Sequence, residues 1–192
     1  HLKPVDMPAF CFFPTKEPTG LHYIIQAPFL LTDSRESIKE NTAHNTRMLD
    51  LLGDLASKSI VFLKKIGEDK GNRLVDDHIL SIIPYKKPYS WSMCAPFYED
   101  TKKIFETESV LPSRKGYTSK PHAYWSVSSK MTDLFSNEQL EQLCGDPQAK
   151  WAFPSISRDT HGSLTQDGRD IREFIDDVTH QYLSESDILN KI

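Results

Sequence analysis

Residues 9–29 read Ala9-Phe10-Cys11-Phe12-Phe13-Pro14-Thr15-Lys16-Glu17-Pro18-Thr19-Gly20-Leu21-His22-Tyr23-Ile24-Ile25-Gln26-Ala27-Pro28-Phe29, and the fold turns on this stretch. Ala9 through Pro14 is short, apolar and aromatic, which favours a buried strand. Thr15 through Gly20 is a turn-rich link. Pro18 fixes φ and Gly20 tolerates φ > 0, so the chain can reverse there. Leu21 through Phe29 follows as a second strand, and the two together read as a β-hairpin with a longer loop.

Downstream, a polar segment runs from Leu31 to Asn45. After it Met48, Leu49, Leu51, Leu52, Leu55, Ala56, Ile60, Leu63 and Ile66 recur at helical spacing, which predicts a long amphipathic helix with a wide apolar face. Gly53 inside it lowers helix propensity by about 1 kcal/mol and marks a close packing contact. Gly67 is the expected C-cap. Leu74, Val75, His78, Ile79, Ile82 and Ile83 form a second helical stripe, stopped by Pro84.

The stretch from Pro84 to Pro96 is rich in proline and aromatics and reads as an ordered connector at a lobe boundary. Phe97, Thr101, Ile104 and Phe105 predict a third helix. Val110-Leu111-Pro112 and Ala123-Tyr124-Trp125-Ser126-Val127 read as short strands around a turn at Gly116. A short helix is expected over 136–144 and a strand over 150–153. Ile171, Phe174, Ile175, Val178, Tyr182 and Leu183 match a helical period. Ser184 with Asp187 resembles a capping box for a last helix.

Composition bounds the function. The 192 residues are 38% hydrophobic and 26% charged, with a net charge of -4, enough apolar material for a core and too acidic for a dedicated nucleic-acid binder. No apolar run approaches the ~20 residues of a membrane span. Beginning at His1 with no Met and no signal-peptide pattern, the chain is expected to be a piece of a longer product. Cys11, Cys94 and Cys144 are far apart and lack zinc-ligand spacing, so they read as reduced residues of a cytoplasmic protein with no metal site.

No phosphate loop, dinucleotide fingerprint, nucleophile elbow or HExxH occurs. No nucleophile–base pair can be named, so a stand-alone enzyme is not expected. Two loops carry cations in telling places: Lys16 between the strands, and Arg35 just before the long helix. Arginine offers forked donors for phosphate oxygens and lysine a point charge. The plain alternative is two exposed surface cations.

At these residues the chain resembles a known family. Phe12 through Leu21, then Gln26-Ala27-Pro28-Phe29-Leu30-Leu31-Thr32-Asp33-Ser34-Arg35, is similar to the sacsin-like ATPases, relatives of the ninety-kilodalton heat-shock chaperone in the GHKL superfamily. Ser109-Val110-Leu111-Pro112 through Gly116 to Ala123-Tyr124 resembles a recurring sacsin-type pattern. The resemblance implies a middle segment that follows an ATP-binding domain. It implies an α+β fold: a ribosomal-S5-domain-2-like β-hairpin plus long helix over 1–83, then a smaller mixed α/β lobe over 84–192.

The family's nucleotide pocket needs a Glu/Asn helix, a DxGxG turn and a Gly-rich lid, none of which is in this sequence. By the resemblance, ATP and Mg belong to the parent protein and this piece completes the site. Arg35, in Ser34-Arg35-Glu36, matches the cation that reaches the γ-phosphate on domain closure, and Lys16 of Thr15-Lys16 is the second candidate. Thr15, Ser34 and Asn45 are the accompanying nucleotide-side residues. Asn45 either caps the long helix or bonds the Arg35 loop, with capping favoured. The implied partners are the upstream ATP-binding domain and a protein client or downstream effector. Two other readings stand beside this one. One is a binding module using Tyr85, Tyr89 and Trp91 with Lys86 and Lys87. The other is a structural spacer.

Overall fold

A computed structural model describes residues 2–89, 92–126, 128–154 and 166–191, and it is an α+β chain. β1 (Phe10–Cys11) and β2 (Phe13–Pro14) pair antiparallel, with Phe10 opposite Pro14 and Cys11 opposite Phe13. Phe12 is the apex, at φ 63. The expected hairpin between 9–14 and 21–29 is therefore replaced by a tighter turn within the first segment. The two segments instead meet at one parallel bridge, Phe10 with Gln26. The left-handed Phe12 reverses the chain after two residues. Thr15 N–H then donates to Ala9 O at 2.9 Å and Ala9 N–H to Glu17 O at 3.0 Å, so the next segment returns in the same direction as the first. Nor is 9–14 a buried strand: Phe12 and Phe13 are 76% and 79% exposed, while Ala9 is buried.

α1 (Ala43–Asp69) is the expected long helix. Its N-cap is Thr42, whose hydroxyl accepts from Asn45 N–H at 3.3 Å, so the cap is not Asn45. Gly67 lies inside the helix rather than ending it. A Cβ there would stand 2.7 Å from Asn72 O, so this glycine admits the returning chain. Gly53 is a close contact, as expected: a Cβ would meet the Pro96 carbonyl carbon and Asp100 Oδ2, both at 3.0 Å. There α1 packs on α2 (Ala95–Thr107), the expected third helix. The buried line of α1 is Asn45, Leu49, Gly53, Ser57, Ile60 and Gly67, mostly small or polar. Leu51, Leu55 and Phe62 stay exposed, so the apolar face is wider than the interface it serves.

The second stripe does not make an α-helix. Only a 3-10 turn over Asp77–Ser81 forms, with the Asp76 side chain capping His78 N–H at 3.0 Å. Its Val75, Ile79, Leu80 and Ile83 are nevertheless buried. They share one core with Ile60 of α1, Phe105 of α2, Trp125 and Phe174, so residues from both sides of position 83 enter it. Phe105 and Phe174 meet edge-on at 5.7 Å.

β3 (Leu111–Pro112) and β4 (Tyr117–Thr118) form an antiparallel pair around Gly116, at φ 79. The strand at Ala123 is not their partner, contrary to expectation. β5 (Ala123–Trp125) runs parallel between β6 (Lys150–Trp151) and β7 (Gln181–Tyr182). α3 (Ser129–Leu134) and α4 (Asn137–Cys144) lie between β5 and β6, and Ser136 and Gln139 form a capping box on α4. α5 (Gln166–Val178) is the expected helix, but it stops before Tyr182 and Leu183. Those residues pair with β5 because Leu183 N–H donates to Trp125 O at 2.8 Å. α6 (Glu185–Leu189) carries the expected capping box of Ser184 and Asp187. Val127 and Trp91, which entered the sequence reading, lie outside the described residues. No helix among the described residues is long and apolar enough to cross a membrane.

Candidate functional site

The two cation-bearing loops stand against each other. Lys16 N–H donates to Glu36 O at 2.6 Å, which joins the chain after β2 to the loop before α1. The second loop is itself a tight turn: Leu31 bridges Ile38, Thr32 N–H donates to Ser37 O at 2.9 Å, and Arg35 N–H donates to Thr32 O at 2.8 Å. Arg35 holds φ 59, a left-handed conformation that costs a non-glycine residue about 1–2 kcal/mol.

Asn45 supplies the anchor. It is 3% exposed, and its amide spends its donors and acceptor on the loop backbone. Leu30 N–H donates to Oδ1 at 2.8 Å, and Nδ2 donates to Leu30 O at 2.7 Å and to Lys39 O at 2.8 Å. The role ranked second on sequence grounds, bonding the Arg35 loop, is the one the geometry shows. His44 adds a contact to Pro28 O at 2.9 Å. Thr15 is likewise committed inward, donating its hydroxyl to Ala9 O at 2.7 Å. Ser34 Oγ lies 3.1 Å from Thr32 Oγ1 at the loop surface.

The two cations differ in what they face. Lys16 Nζ is 2.6 Å from Glu36 Oε1, so its charge is already clasped by the loop that carries Arg35. Among the described residues no hydrogen bond or ion pair engages the Arg35 guanidinium. Phe12, Phe13, Thr15, Thr32, Asp33 and Arg35 line a shallow cavity of about 670 Å³. An exposed pair of phenyl rings beside an uncommitted guanidinium was not legible as a site. Two adjacent aromatics cannot both face one side of a strand, and that was the available signal. Glu36 was also missed as the partner of Lys16, although it follows Arg35 directly.

The aromatic connector is a different surface. Tyr85, Lys86, Lys87 and Tyr89 border a cleft of about 1020 Å³ whose other wall includes Asp170 and Glu173. That mixed charge suits a polyanion poorly. Elsewhere, His122 Nδ1 lies 2.9 Å from Asp146 Oδ2. Burial and the Glu17 carboxylate push the Cys94 thiol up to about 11, and burial pushes Cys144 up, so neither is an activated nucleophile. Among the described residues no three His, Cys, Asp or Glu side chains stand together as a metal site.

No family model matches the chain, and no curated protein or solved structure matches it either.

Proposed function

We propose that this chain is a middle, transducer-type segment of a chaperone-like GHKL ATPase, its first 83 residues serving as the ribosomal-S5-like lobe. Arg35 contacts the γ-phosphate of ATP held by an adjoining domain, and that contact couples nucleotide state to domain closure. The observation that carries the reading is the Arg35 guanidinium, without a hydrogen bond or ion pair among the described residues, at the apex of a loop bonded to the first turn of α1. The chain's own residues fit one end of a nucleotide only. They offer a cation for a terminal phosphate, but the sequence has no glycine-rich cradle and the described residues have no acid cluster for Mg.

A cation delivered from outside stabilises the transferred phosphoryl oxygens and is worth ~10³-fold or more in rate. Lys16, held by Glu36, acts here by keeping the Arg35 loop in place. The test restores the adjoining domain and measures ATP turnover. Arg35→Ala is expected to lower it by about 10³-fold, and Lys16→Ala to lower it less. Parent-rate turnover in Arg35→Ala removes the reading.

The alternative is a binding module for protein or nucleic acid, and the cleft bordered by Tyr85, Lys86 and Lys87 is its best support. Its mixed charge favours a peptide over nucleic acid. A gel shift at low and moderate salt checks the nucleic-acid version, which fails without salt-sensitive binding. A structural spacer predicts that Arg35 matters no more than any other surface residue.

A further inference from the structure

Beside the row of α1 that is buried against α2 runs a second row: Met48, Leu52, Leu55, Ser59, Phe62 and Ile66. Its members recur alternately four and three residues apart. A recurrence of about 3.5 residues is the period of helices that pair lengthwise. Leu55 and Phe62 are 61% and 63% exposed, and Leu51 next to them is exposed as well. Facing the row across a groove of about 590 Å³ stand Val5 and Ile24, both exposed, with Leu52, Leu55, Ala56 and Ser59 on the helix side. The chain's own core makes no use of this face, and its size and continuity mark an interaction surface.

We propose that a second copy of this chain covers the face, the two α1 helices packing antiparallel about a two-fold axis at the level of Ser57. The row is complementary to its own reverse. Turned about that level, Leu52 meets Phe62 of the second copy, Leu55 meets Ser59, and Met48 meets Ile66, each layer occurring twice. A parallel pair in register would set Ser59 on Ser59 and Phe62 on Phe62, a void one turn from a clash. Ala56 stands nearest the axis and is small enough for close approach. On the outer flank Arg47 comes opposite Asp69 of the second copy. Each Lys58 keeps its own Asp54 at 2.8 Å, so the charges beside the axis alternate in sign. The row from Met48 to Ile66 is about 27 Å long. Covering it together with Val5 and Ile24 in both copies removes on the order of 1,000 Å² from water, the size at which specific interfaces begin. The pairing does not depend on the phosphate-contact reading of Arg35, whose loop precedes the helix.

The experiment weighs the 192-residue chain by light scattering after gel filtration. Loading runs from about 1 to 200 μM, and twice the 22.0 kDa chain mass is expected at the upper end. Leu55→Glu and Phe62→Glu place a charge where the monomer meets water. Each should raise the dimer dissociation constant at least about tenfold, with an unchanged far-UV spectrum. Leu55→Ser introduces no charge and should weaken the dimer in the same direction. Leu134→Ser, which removes a side chain 70% exposed elsewhere, is the control and should dimerise normally. Disulfide trapping reads the orientation. Leu52→Cys mixed with Phe62→Cys should cross-link above the background of the parent's own cysteines, and neither variant alone should. A monomer throughout the range, a dimer indifferent to both Glu variants, or an equal loss in the control overturns the pairing. So does cross-linking of either cysteine variant with itself, or no cross-link in the mixture.

Discussion

Asn45, on the first turn of α1, holds both backbone groups of Leu30: the Leu30 N–H at 2.8 Å and its carbonyl at 2.7 Å. One buried amide thus fixes the approach of the loop that carries Arg35. Asn45→Ala removes these bonds and the one to Lys39 O; Leu30 O keeps the Lys39 N–H at 2.8 Å, while Leu30 N–H loses its partner. The expected loss is about 2–4 kcal/mol, read from the urea midpoint. Asn45→Asp keeps the acceptor for Leu30 N–H but turns a carboxylate oxygen toward the Leu30 and Lys39 carbonyls, so at neutral pH it should be at least as destabilising as Ala.

Gly53 and Gly67 should resist substitution despite sitting in a helix. Alanine gains about 1 kcal/mol in helix propensity at an open site. At Gly53 the new methyl meets Pro96 and Asp100 at 3.0 Å, and at Gly67 it meets Asn72 O at 2.7 Å. Gly53→Ala and Gly67→Ala should each cost about 1–2 kcal/mol. Lys65→Ala on the exposed face should be near neutral. Thermal melts of the three variants decide it, and a Gly53→Ala that melts higher than the parent would contradict the close contact.

Arg35→Gly separates stability from function. Glycine holds φ 59 without strain, so the chain should gain about 0.5–1 kcal/mol after the entropic cost of glycine. Nucleotide-dependent turnover of the parent protein should fall at the same time. A variant less stable than the parent would show that the arginine side chain supports the loop itself.

Burial, then the neighbouring Asp54 carboxylate, raises the Asp100 carboxyl above its ordinary value. A carboxyl raised in the folded state favours folding while both states are protonated. That contribution is lost as pH climbs from the unfolded value near 3.9 through the raised one. Asp100→Asn removes the titration. Its stability advantage over the parent should be small near pH 3 and grow toward pH 6, followed by urea denaturation across that range. A constant difference would count against the raised carboxyl.

Cys94 should be slow to alkylate at pH 8, because burial and Glu17 hold its thiol up to about 11. Its rate with iodoacetamide should keep climbing beyond pH 9, where an ordinary thiol is already levelling off. Mass mapping of modified peptides over time reads this directly.

What the sequence disclosed was what residues decide locally. The Ser184–Asp187 capping box needs only its own four residues, and it forms. α1 follows from a repeated period, and Gly53 from the oddity of a glycine within it. Pairings between distant segments were not legible. Tyr182 and Leu183 keep the period of α5, yet they bond to β5, and nothing nearby in the chain announces it. Phe10 through Phe13 has the composition of a buried strand, but one left-handed residue turns two of its rings outward. At the site, Arg35 and Lys16 stood out by charge and position. That Glu36 takes Lys16, while Arg35 has no ion pair among the described residues, depends on two loops meeting, and charge alone did not foretell it.

The parallel sheet β6-β5-β7 sets a timetable during synthesis. Ala123–Trp125 leaves the ribosome well before either neighbour, and its second edge stays open until Gln181–Tyr182 has emerged. The loop bonds of Asn45 and Leu30, by contrast, close within the first third of the chain. The part that presents Arg35 can therefore be in place while the sheet is still waiting for its last strand. A nascent chain stalled before residue 181 would carry a finished cation loop above an exposed strand edge, and that edge is where it would need a holding chaperone.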